Sequence, residues 1–157
     1  MEMESNYRLR KVTHNDCKLV FEWANDEIVR LNSFNVEPII YENHVDWFRK
    51  KLESNNSFMY IFEVDSVEVG IIRLDKIHDN SYLINYSIAK EYRGKGYATL
   101  LLKLVKETYK NSVLVGKVKA TNIGSLKAFI KAGYLEENQE DIKIYYSIEG
   151  SHIEGRA

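Results

Sequence analysis

The 157-residue sequence predicts an α+β domain with a mostly antiparallel central sheet flanked by helices. Three observations predict it. Phe58 to Val64, Val67 to Leu74 and Tyr82 to Ala89 are rich in aromatic and β-branched residues and follow one another across short turns, as antiparallel strands do. A basic glycine turn, Arg93-Gly94-Lys95-Gly96, then leads into a stretch of helical period in which Tyr97, Leu101, Leu104, Val105 and Thr108 recur. Helical patterns precede the three strands, and a strand, a further helix and a hairpin follow the glycine turn.

In chain order, Tyr7 to Val12 alternates as a short strand. Thr13, with Asp16 three residues on, has the form of a capping box and starts a helix. Cys17, Val20, Phe21, Ala24, Ile28 and Leu31 make one stripe along it, predicted to face the core. Asn32 to Ile40 reads as a loop in which Pro38 favours extended backbone before it. A second helix is predicted from about Asn43 to Ser54. Val45, Phe48 and Leu52 form its buried side, and His44, Trp47 and Lys51 share an adjacent face. Turns at Asp65-Ser66 and His78-Asp79-Asn80 separate the three strands. Beyond the glycine turn and its helix come a strand from Val113 to Lys119 and a helix from Asn122 to Gly133. Tyr134 to Glu137 and Ile142 to Ile148 form the closing hairpin.

Composition bounds the function. With 45% hydrophobic residues the chain fits one domain, predicted over residues 1–149. A net charge of −1 gives no global electrostatic case for nucleic acid or a membrane surface. The single cysteine, Cys17, excludes an intrachain disulfide and reads as ordinary burial. No signal peptide or apolar run of membrane length appears, so a cytoplasmic location is expected. Residues 150–157 contain Ile153-Glu154-Gly155-Arg156, a protease-site sequence, and read as an expression-tag remnant.

The chemistry concentrates between Arg93 and Thr99. Two glycines let backbone approach a ligand closely, and the unpaired amides of a helix's first turn point outward with the positive dipole end behind them. Arg93 and Lys95 add two cations. A phosphate or pyrophosphate suits this turn; a plain chain reversal is the other reading. The spacing of a P-loop is absent, and Thr99 stands where a dinucleotide fingerprint needs a small residue.

Arg93-Gly94-Lys95-Gly96-Tyr97-Ala98 resembles the Arg/Gln-x-x-Gly-x-Gly/Ala signature of the Gcn5-related N-acetyltransferases (GNAT). A second family segment follows in order, Asn122-Ile123-Gly124-Ser125 through Phe129, then Lys131-Ala132-Gly133-Tyr134. The resemblance implies the acyl-CoA N-acyltransferase fold, a three-layer arrangement with a mixed sheet whose fourth and fifth strands splay apart. It implies acetyl-CoA as co-substrate and no metal, with direct attack of an amine on the thioester. Binding of the coenzyme is expected at Ile88, Ala89, Arg93, Gly94, Lys95, Gly96, Tyr97, Ala98, Thr99, Asn122 and Phe129, Asn122 being equally readable as a helix cap. Where many relatives carry a leaving-group tyrosine this chain has Phe129, and where many carry a glutamate it has Leu83, with Asn85 close by. His78, as a base through water, and Tyr134, as an acid, are the candidate substitutes.

For the acceptor, Trp23, Arg30, His44, Trp47 and Asp75 lie in segments similar to nucleotide-sugar N-acetyltransferases that act on 4-amino-sugars of the pseudaminic acid type. Trp faces would stack on sugar or uracil, Arg30, Arg49 or Lys51 would meet a diphosphate, and Asp75 would orient an ammonium. The same two Trp residues also read as packing between helices. Two alternatives stand beside the small-molecule amine acceptor: a ribosomal-protein N-terminal acetyltransferase, and a module that holds acetyl-CoA without turnover. The closing hairpin offers an edge for a homodimer.

Overall fold

The computed structural model describes residues 5–148, so the 150–157 segment read as a tag remnant lies outside the described residues, as do both ends of the 1–149 span. Strand β1 (Tyr7–Lys11) is followed by helices α1 (Cys17–Ala24), α2 (Glu27–Asn32) and α3 (Tyr41–Glu53). Strands β2 (Ser57–Val64), β3 (Val67–His78) and β4 (Ser81–Ile88) come next. Helix α4 (Tyr97–Thr108), strand β5 (Val113–Lys119), helix α5 (Ile123–Lys131) and the hairpin β6 (Leu135–Gln139) and β7 (Ile142–Tyr146) complete the order. One sheet runs β1-β2-β3-β4-β5-β7-β6, and every neighbouring pair is antiparallel except β4 and β5. The predicted mixed sheet flanked by helices is the fold observed. No described helix is long and apolar enough to cross a membrane.

Alternation along the strands buries apolar side chains on both faces of the sheet, because successive side chains leave a strand on opposite faces. Phe62, Ile72 and Leu74 meet Leu101, Leu102 and Val105 of α4 and Phe129 of α5 on one face. Met59 and Ile61 meet Val20 of α1 and Phe48 of α3 on the other. The helix-turn pattern after the glycines, and the strand Val113 to Lys119, therefore lie where the period predicts them.

Two predictions about the first helices are corrected. The stripe from Cys17 to Leu31 belongs to two helices, not one. The chain breaks at Asn25 and Asp26, where Asp26 Oδ1 accepts from the amides of Ile28 (3.0 Å) and Val29 (3.2 Å) and begins α2 afresh. That new direction leaves Ile28 and Leu31 49% and 63% exposed. In α3 the buried positions are His44 and Phe48, while Val45 is 40% exposed. Strand β3 also outlasts its predicted end at Leu74, since its pairing with β4 continues to His78 opposite Ser81.

The capping box at Thr13 is formed, and its acidic member does more than cap. Asp16 accepts two hydrogen bonds from the Arg10 guanidinium, both 2.9 Å, and one from the Thr13 amide at 2.8 Å. Arg10 also reaches Glu63 at 3.1 Å and Glu68. The Arg10 hydrogen bonds hold the Asp16 carboxyl below its ordinary value of 3.8 despite burial. A carboxyl depressed in the folded state stabilises the fold above its unfolded pKa, and that contribution is lost as pH falls through the folded pKa. Thermal melting by circular dichroism is therefore expected to show stability dropping below about pH 4, the ordinary aspartate range. Asp16→Asn should melt lower at neutral pH and lose less on acidification. Parallel pH slopes for the two proteins would contradict this account.

Candidate active site

Strands β4 and β5 pair only from Ser81 opposite Val113 to Ile84 opposite Gly116. Beyond that point both continue, β4 to Ile88 and β5 to Lys119, without pairing to each other. A cleft of about 750 Å³ opens between them, walled also by α2, the glycine turn and the first turns of α5. Its size suits a small-molecule site.

The glycine turn supplies backbone donors. Gly94 and Gly96 have φ of +81° and +80°, the left-handed region that glycine enters without penalty, and a Cβ on either would meet only open space. The amide of Arg93 is taken by the Lys90 carbonyl at 3.4 Å, and the first α4 bond is Leu100 to Gly96 at 3.2 Å. Among the described residues no carbonyl or side chain accepts from the amides between them, Gly94 through Thr99. They form an open cradle at the N-terminus of a 12-residue helix.

Strand β4 supplies a second set. The Ala89 amide bonds to the Val69 carbonyl at 2.8 Å. Antiparallel pairing alternates, so in the same register Asn85 and Ser87 also turn their backbone groups to β3. Tyr86 and Ile88 turn theirs the other way, toward the opening. The expectation for Ala89 is corrected on this ground: its amide serves Val69 and its carbonyl accepts from Tyr92 at 2.9 Å. The Ile88 carbonyl receives Arg93 Nε at 3.0 Å.

Arg93 is spent within the protein. Besides Ile88 it binds Asp26 at the head of α2, Nη2 to Oδ1, 2.9 Å. Burial pushes the Asp26 carboxyl up, but Arg93 and the amides of Val29 and Ile28 outweigh it and the carboxyl lies below its ordinary value. The other end of α2 is tied across the cleft, Lys119 Nζ to the Leu31 carbonyl at 3.2 Å.

Five residues of interest in the cleft wall carry no role in the sequence reading, although Ser125 and Lys131 belong to its second family segment. Tyr86 and Ser125 bring their hydroxyl oxygens within 2.8 Å of each other. Burial raises the Tyr86 pKa, so the hydroxyl keeps its proton at neutral pH. Lys127 and Lys131, one turn apart on α5, and Lys117 on β5 line the cleft and make no ion pair with any described residue. The i, i+4 lysines were a readable signal. The Tyr86–Ser125 pair was not, because it joins residues 39 apart in sequence. Asn122 caps α5, its Oδ1 accepting from the Ser125 amide at 3.3 Å, and also lines the cleft. Phe129 lies beneath, 1% exposed and stacked on Tyr145 at 4.7 Å.

The predicted catalytic substitutes stand elsewhere. His78 is exposed at the far end of β3, beside Ser81, where β4 and β5 are still paired. At about 3.3 Å per residue that is ~23 Å of strand from Ile88. Tyr134 is buried, and its hydroxyl donates to the Leu102 carbonyl at 2.9 Å.

None of the five predicted acceptor residues lines the cleft. Arg30 gives its donors to the carbonyls of Ala24 (2.7 Å), Asn35 (2.9 Å) and Glu37 (3.3 Å) and to Ser33 Oγ at 3.2 Å, pinning a loop. His44 is 2% exposed, with its Nε2–H donating to the Cys17 carbonyl at 3.0 Å. Trp23 and Trp47 pack against the core that α1 and α3 cover, and Trp47 carries Arg73 at 5.1 Å over its ring. Asp75 is held by Ser57 (2.7 Å), Arg73 (2.9 Å) and Lys51 (3.3 Å). Each of these side chains satisfies the fold first.

Residues 6–135 match the family model described as Acetyltransferase (GNAT) domain. The chain belongs to this acetyltransferase family. An uncharacterized N-acetyltransferase of Methanocaldococcus jannaschii is 30% identical over 79 residues, 48% of this chain and 51% of that protein, so the match spans about half of the relative's length. Among solved structures, a domain from the same organism superposes with a TM-score of 0.77 at 21% identity, covering 91% of this chain and 98% of that one. Spermidine N-acetyltransferase from Vibrio cholerae, in complex with CoA and spermine, gives 0.77 at 17% identity over 89% and 92% of the two chains. AAC(6')-Ib, in complex with ribostamycin and coenzyme A, gives 0.77 at 15% over 89% and 91%. At these identities the likeness to the family's solved structures is one of fold.

Proposed function

We propose that this protein is an acetyl-CoA-dependent N-acetyltransferase that modifies a primary amine by direct attack while both substrates are bound. The observation that carries this reading is the unpaired run of amides from Gly94 to Thr99 at the mouth of a cleft between two parting strands. Those amides, with Lys95, grip the coenzyme's diphosphate, and Lys127 and Lys131 meet its remaining phosphate charge. Tyr86 and Ile88 offer β4 backbone groups to the extended pantetheine arm, above Phe129, with Asn122 at the rim. Bound acetyl-CoA supplies the acetyl group, and its sulfur leaves with the electrons of the broken C–S bond as the new C–N bond forms.

The residues that surround the reaction explain what the protein must do. No Asp, Glu or His is among the described residues lining the cleft, so the amine arrives neutral and gives its proton to water. Tyr86, protonated and backed by Ser125, donates a hydrogen bond to the leaving sulfur. A thiolate is a fair leaving group, with a thiol pKa of about 8.5, so a donor this weakly acidic suffices. Positioning in the cleft supplies the larger share of rate. The finer reading of the acceptor as a nucleotide-linked 4-amino-sugar is kept as one candidate, although the five side chains that suggested it are engaged elsewhere.

Thiol release from acetyl-CoA across a panel of amines tests the reading. Release with at least one amine is expected, and Tyr86→Phe should lower kcat on the order of 100-fold with acetyl-CoA affinity unchanged. Tight acetyl-CoA binding with no release for any amine would instead make the protein a coenzyme-holding module.

A further inference from the structure

The cleft opens on both faces of the sheet. Gly116 and Val118 face α5, where Phe129 lies against Gly116, so Lys117 between them faces the opposite side. On β4, Ile84, Tyr86 and Ile88 join the α4–α5 core, which leaves Asn85 and Ser87 on the side of Lys117. Helix α2 and the residues after it close this second chamber with Val29, Ser33 and Phe34. All charged side chains among the described lining residues are basic. On the α2 side Arg93 is paired with Asp26, which leaves Lys117 with no carboxylate partner among the described residues. The carboxylate at the head of α2, Asp26, is already neutralised by Arg93.

We infer that this chamber takes an amine that also carries an anionic group, a phosphate or a carboxylate, and that Lys117 binds that group. The inference rests on the acetyltransferase reading and adds its substrate class. Lys117 has its ammonium free to meet an anionic group, whereas a polycationic acceptor would find no carboxylate among the described lining residues and would meet Lys117 head-on. Asn85, Ser87 and Ser33 offer neutral hydrogen-bonding groups for the body of such a ligand, and Phe34, 59% exposed, offers it an apolar wall.

Calorimetry on the protein saturated with CoA isolates this chamber from the coenzyme's own phosphate contacts. Inorganic pyrophosphate is expected to bind that complex, at least tenfold more weakly in Lys117→Gln and not detectably in Lys117→Glu, while CoA affinity stays within twofold. In acetyl transfer, O-phosphoethanolamine or β-alanine should exceed ethanolamine at least tenfold in kcat/KM, with spermidine poorest, and Lys117→Glu should erase that order. The first two amines separate a phosphate preference from a carboxylate preference. Spermidine as the best acceptor, or the same ranking in Lys117→Glu, overturns the inference and leaves the enzyme reading intact. Absence of CoA binding overturns the enzyme reading itself.

Discussion

Gly96→Asp is expected to abolish acetyl-CoA binding while the protein stays folded. A Cβ at this position meets nothing within 4 Å, so the side chain has room. Its φ of +80° is unfavourable for most residues, but Asp tolerates the left-handed region, and the strain is on the order of 1–2 kcal/mol. The carboxylate then stands among the amides that would otherwise hold a diphosphate. At an effective dielectric of 20, two like charges 4 Å apart repel by about 4 kcal/mol, near a thousandfold in affinity. Gly96→Asn carries the same shape without the charge and should retain most binding. Calorimetric titration with acetyl-CoA, with circular dichroism as the folding control, reads the difference. Wild-type affinity in the aspartate variant would remove the diphosphate from this turn.

Gly116→Ala should destabilise the protein by overpacking the floor of the cleft. The new Cβ would lie 2.4 Å from Cζ and 2.7 Å from Cε1 of Phe129. That ring has nowhere to withdraw. It stacks on Tyr145 with 6° between planes and meets Tyr134 edge-on at 5.0 Å. Overpacking of this kind costs about 1–3 kcal/mol, which for a domain of this size lowers Tm by roughly 2–12 °C. Phe129→Leu alone leaves a cavity and destabilises, but combined with Gly116→Ala it should recover part of the loss, a coupling that a double-mutant cycle measures. A neutral Gly116→Ala, or strictly additive effects, would show that strand and ring are not in the contact described.

Legibility from the sequence followed the range of the interactions. The turn from Gly94 to Thr99 and the helix after it are local, set by glycine backbone freedom and a 3.6-residue period, and both were readable. So were the strands, whose alternation survives in the burial on both faces of the sheet. The break between α1 and α2 is hidden in the sequence because Asp26 is a local cap inside an uninterrupted apolar stripe. The five acceptor candidates fall outside the cleft for a different reason. Arg30 and Asp75 have the chemistry of ligand-binding residues, yet carbonyls in one case and Ser57, Arg73 and Lys51 in the other claim them first. Lys117 and Tyr86 acquire meaning only when two strands part, and nothing in their own neighbourhoods announces that.

Helix α2 has six residues, too few to hold its shape unaided. Its two moorings, Asp26 to Arg93 and Leu31 to Lys119, fasten it to the coenzyme's turn on one bank and to β5 on the other. The doorway for the amine is thus hung on the same frame that seats the acetyl donor. Loosening either bank would shift the threshold over which the acceptor passes.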